Sequence, residues 1–70
     1  MTGEEWISSF AVHLGVEPPR PETIEALLAL ASSAAHQSER LAAPIACYLV
    51  GLAGIEPARA RDLAADRQED

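Results

Sequence analysis

Apolar positions recur along the chain with helical spacing, in four runs separated by breaks that carry proline, glycine or charge. In the first run Trp6, Ile7, Phe10, Ala11 and Leu14 fall at i, i+1, i+4, i+5 and i+8, one face of an α-helix. Thr2-Gly3-Glu4-Glu5 has the spacing of a capping box, in which the threonine hydroxyl accepts from the amide three residues on and the glutamate reaches back. Met1 and Trp6 stand at the positions of a hydrophobic staple. Gly15 then offers a left-handed stop and Val16 an apolar residue to fold back on the last turn. The pattern predicts a helix over residues 3–14.

Val16 to Pro21 (VEPPRP) is a stiff connector, because each proline fixes its own φ and holds the preceding residue out of the α region. Pro21 suits the first position of a second helix, residues 21–38, whose expected buried face is Ile24, Leu27, Leu28, Ala31 and Ala35 with Leu30 on its flank. The polar break His36 to Arg40 precedes a third helix, residues 42–53. Its apolar stripe is Leu41, Ile45, Leu49 and Leu52, beside a row of small residues, Ala43, Cys47 and Gly51, that lets another helix approach closely. With Tyr48 and Val50 flanking, this helix is apolar on most sides and is expected to be the central one. Gly54-Ile55-Glu56-Pro57 repeats the stop-and-start pattern and opens a short helix, residues 57–66, with one large apolar residue, Leu63, and Arg59 placed to pair with Asp62 or Asp66. The expected fold is all-α: one domain over residues 1–70, a compact three-helix bundle plus a weakly docked C-terminal helix, with 67–70 disordered.

Composition narrows the function classes. Seventy residues leave no room for a multi-domain enzyme, and a chain of this length buries only about 60% of its unfolded surface, so a partner, metal or disulfide is an expected aid. One cysteine, Cys47, excludes an internal disulfide and agrees with a cytoplasmic location. The net charge is −6, with five dispersed arginines and no lysine, which argues against nucleic acid, whose binding depends on cationic contacts to phosphates. The longest uncharged run, Leu41 to Ile55, is fifteen residues and carries a proline and two glycines, short of the roughly 20 that a membrane span requires.

The densest polar cluster is His36, Glu39 and Arg40. Glu39 could raise the His36 pKa and Arg40 could orient an anion such as a phosphate, with Tyr48 completing a site for an anionic ligand. The competing reading is a helix end, where histidine and arginine satisfy orphan carbonyls and the helix dipole. No catalytic residue and no cofactor is assigned. Cys47, His13 and His36 lack the short paired spacing of a zinc site, so no metal is expected and Cys47 reads as a small buried hydrophobe. Trp6 and Phe10, one turn apart, read as core anchors, and Tyr48 as a residue at the rim where another protein docks.

Ala35-His36, Glu39-Arg40, Ala42-Ala43-Pro44, Tyr48-Leu49 and Gly51, with Trp6, Leu14-Gly15-Val16 and the run Ile24 to Leu28, resemble a small bacterial domain. That domain is found alone or at the C-terminal end of molybdenum cofactor guanylyltransferases. The resemblance covers roughly Glu4 to Gly54. Two departures stand out: Leu41 replaces a proline, and Ile45-Ala46-Cys47 replaces Leu-Thr-Thr. It implies a non-enzymatic accessory or protein-interaction role in molybdopterin guanine dinucleotide synthesis, with a molybdenum cofactor nucleotidyltransferase as partner. This chain has neither the Gly-rich nucleotide loop nor the lysine that the transferase itself needs. Alternatives from the residues are the anionic-ligand site and a homodimer built on the third helix.

Overall fold

The computed structural model describes residues 1–66 as four helices, α1 (Gly3–Leu14), α2 (Pro21–Gln37), α3 (Ala42–Ala53) and α4 (Pro57–Asp66), with no strand among the described residues. The disorder expected for 67–70 lies outside the described residues. The helix ends follow from local chemistry. At the start of α1 the Glu5 amide donates to Thr2 Oγ1 (3.1 Å) and the Thr2 amide to Glu5 Oε1 (2.9 Å), so the capping box is complete. At its end Gly15 adopts φ 78°, and the amides of Gly15 and Val16 close on the carbonyls of Val12 and Ala11, each at 3.0 Å. Gly54 stops α3 in the same left-handed way, with φ 72°. Between α2 and α3, two tight turns from the Ala42 amide to Glu39 O and the Ala43 amide to Arg40 O lead into the helix. Pro44 therefore falls in its first turn, where a missing N–H costs nothing.

The packing differs from the expected bundle in which helix is central. α3 and α4 each lie along α2, whereas α1 makes no extensive contact with the other helices. α2 is the longest helix, 17 residues, and has room for two neighbours. Towards α4 it offers Leu30, 4% exposed, which lines one cavity with Ala60 and Leu63. The Gln37 amide donates to Ala64 O at 2.9 Å, so α4 is held by more than Leu63. Towards α3 the Cys47 thiol lies 3.9 Å from Leu27 O, and Ala42, Ala43, Ala46 and Cys47 are half-buried, whereas Gly51 of the expected small-residue row is exposed. The buried set of the described residues is Ala11, Ala26, Leu30 and Ala60.

Several large side chains expected inside lie outside. Leu41, Ile45, Leu49 and Leu52 are exposed, because α3 meets α2 through its alanines and Cys47, and no further helix covers the opposite face. Leu28 is 65% exposed, since the face of α2 that is used passes through Ala26 and Leu30, about 100° per residue from Leu28. Trp6 and Phe10 stack on each other, ring centroids 5.0 Å apart, but remain about half exposed, since α1 makes no extensive contact with the other helices. Met1 is exposed and forms no staple. On α4 the ion pair is Arg61 with Asp62 at 3.1 Å, in place of the expected Arg59 pairing. The molecule measures 41 × 23 × 18 Å with a radius of gyration of 12.5 Å, against about 11 Å for a compact chain of this length.

Candidate functional site

The residues singled out for an anionic ligand occupy three settings. His36 ends α2, and its Nδ1 lies 2.9 Å from Ser32 O and 3.1 Å from Ser32 Oγ. A carbonyl only accepts, so the contact with Ser32 O is a hydrogen bond when Nδ1 carries a proton. Next to it the Ser38 hydroxyl donates to Ala34 O at 2.7 Å, satisfying one of the orphan carbonyls at the end of α2. Glu39 and Arg40 sit in the connector with exposed side chains, and their carbonyls accept the first amides of α3. Tyr48 is exposed on α3, two turns into the helix. None of the four lines either of the two grooves that run along α2.

Those grooves are apolar and lie along α2. One, of about 310 Å³, has Leu30, Ala34 and Gln37 on α2 as its floor, Ala46, Leu49 and Val50 on α3 as one wall and Leu63 and Ala64 on α4 as the other. The second, of about 410 Å³, continues past Ala34 and Gln37 to Leu41 and Ile45. Gln37 stands where both meet, and its amide holds the Ala64 carbonyl in the last turn of α4. Sequence reading passed over Gln37, although Leu30, Ala34 and Gln37 follow the i, i+4, i+7 spacing of a single stripe and a polar residue ending such a stripe signals a tether.

Cys47 behaves as a packing residue. Burial against α2 pushes its thiol pKa up, which keeps the sulfur neutral and poorly nucleophilic at neutral pH. Among the described residues no three His, Cys, Asp or Glu side chains gather as a metal site, and no helix is long and apolar enough to cross a membrane.

Two helices leave large apolar side chains uncovered. α1 presents the Trp6–Phe10 stack with Val12 and Leu14, and α3 presents Leu41, Ile45, Tyr48, Leu49 and Leu52. A cleft beside the stack is lined by Trp6, Ser9, Phe10 and His13. Such faces can exclude water against another apolar surface. No curated protein and no solved structure matches the chain. A family model does match, over residues 1–70, and the chain belongs to that family, the domain of unknown function DUF6457.

Proposed function

We propose that this chain is a non-enzymatic protein-interaction module whose fold is completed by the surface it binds. One observation carries the reading. The accessible surface is 5586 Å² for a chain of 7.4 kDa, whereas a folded monomer of that mass exposes about 4,200 Å². The surplus of about 1,400 Å² exceeds the roughly 800 Å² that each partner contributes to a standard interface. It coincides with large apolar side chains left exposed on α1 and α3, while three of the four buried residues are alanines.

The resemblance of His36 to Gly51, with Trp6 and the run around Leu27, supplies the context: molybdopterin guanine dinucleotide synthesis in the cytoplasm, with a molybdenum cofactor nucleotidyltransferase as partner. The α1 face suits that role, since Trp6 and Phe10, stacked beside Ser9 and His13, are residue types that anchor interfaces.

Trp6 is the sole tryptophan and reports on its own burial. Titrating the chain with a molybdenum cofactor guanylyltransferase is expected to shift Trp6 emission to the blue, give a negative heat-capacity change of binding and lose at least tenfold in affinity with Phe10→Ala. Absence of binding, together with unchanged transferase turnover, would remove the proposed partner.

A further inference from the structure

We infer that α3 is a self-association seam, through which two copies of this chain pair antiparallel about a two-fold axis. The inference rests on the reading that uncovered apolar faces are binding surfaces, and it names the occupant of one of them. Leu41, Ile45, Tyr48 and Leu52 are spaced by four, three and four residues, the a/d spacing of a coiled-coil seam, and all four are between 53% and 69% exposed. The inward face of α3 is already occupied by α2 through Cys47, so the seam is free to meet another helix.

Charge and symmetry favour a second copy. Copies at −6 repel unless their contact is free of charge, and α3 is the one helix of the four without an acidic or basic side chain. A basic partner would find nothing on this face to pair with. A two-fold interface must be complementary to itself. With the axis midway between Ile45 and Tyr48, Leu41 meets Leu52 of the second copy and Ile45 meets its Tyr48. An interface of standard size takes about 800 Å² from each copy, less than the surplus, which leaves the α1 face for a different protein.

The test is sedimentation of the full chain at roughly 5 to 200 µM, a span that brackets a dissociation constant in the micromolar range. Wild type is expected to sediment as a dimer. Ile45→Glu is expected to weaken the dimer at least a hundredfold while helical circular dichroism is kept, since Ile45 is exposed within one copy. Leu52→Glu, at the end of the seam, checks the same point should Ile45→Glu fold poorly. Val12→Glu, on the exposed face of α1, is expected to leave the dimer intact. For register, Leu41→Cys and Leu52→Cys chains, each also carrying Cys47→Ala, are expected to cross-link to each other, and Leu52→Cys chains not among themselves. A monomer across the whole range, a dimer that dissociates on Val12→Glu but not on the α3 substitutions, or Leu52→Cys self-cross-linking overturns the inference. A monomer that still binds the transferase overturns only the seam, and a dimer that does not bind it overturns only the proposed partner.

Discussion

Among the described residues Leu30 is the one large side chain that is buried, and its truncation measures how much of the stability passes through the α2–α4 contact. Leu→Ala at buried sites costs about 2–5 kcal/mol, the spread reflecting how far the surroundings collapse into the space. Leu30 borders the groove between α3 and α4, so the space left by the substitution opens onto that groove instead of forming a closed cavity. The lower part of the range applies, about 2–3 kcal/mol. For a domain of this length that is a shift in melting temperature of roughly 10–20 °C and a large share of a total stability of about 4–10 kcal/mol. Leu28→Ala is the matched control, since it removes the same atoms from the same helix at a site that is 65% exposed, and it is expected to change stability by no more than about 0.5 kcal/mol. Urea unfolding followed by circular dichroism, at one protein concentration for all variants, reads both. Equal losses at Leu28 and Leu30 would refute the reasoning, because the exposed face of α2 would then be as buried as the face that meets α4.

Thr2→Ala removes the capping box of a 12-residue helix that has little tertiary support, so a loss of about 1 kcal/mol is expected to appear as faster amide exchange confined to α1. Gly15→Ala forces a side chain into φ 78° and is expected to destabilise α1 by about 1–2 kcal/mol, checked by the same exchange experiment. Gln37→Ala frees the Ala64 carbonyl and is expected to cost about 1 kcal/mol, with increased exchange in α4 but not α3. Because burial raises the Cys47 pKa, the folded state holds the thiol proton more tightly than the unfolded chain. Stability is therefore expected to be insensitive to this group below an ordinary thiol pKa of about 8.5 and to fall as pH rises above it; urea midpoints at pH 7 and pH 10 should lose that difference in Cys47→Ala. Millimolar pyrophosphate is expected to leave the melting temperature unchanged, and a rise that Arg40→Ala abolishes would move the function to His36, Glu39, Arg40 and Tyr48.

The ends of the helices were legible because they depend on residues within a turn of each other. Thr2 with Glu5, Gly15 with Val16, Pro21, and Gly54 with Pro57 place α1, α3 and α4 as the sequence predicts, and α2 ends one residue early, at Gln37. The polar cluster was legible as residues but not as an arrangement, since the hydrogen bond from His36 to Ser32 depends on a rotamer that spacing does not specify.

What the chain order could not decide is which side of α3 faces α2. A helix with one polar face has its inward side set by periodicity; α3, without a charge on any side, has two apolar faces, one of alanines with Cys47 and one of Leu41, Ile45, Tyr48 and Leu52. Small residues let the α2 and α3 backbones approach closely, so the tertiary structure used that face and left the large one outward. The same choice made α2 the centre and gave Gln37 its place between two grooves. Sequence alone determined four helices and a net acidic charge; the uncovered apolar faces, and with them the case for a partner, exist only once the helices are assembled.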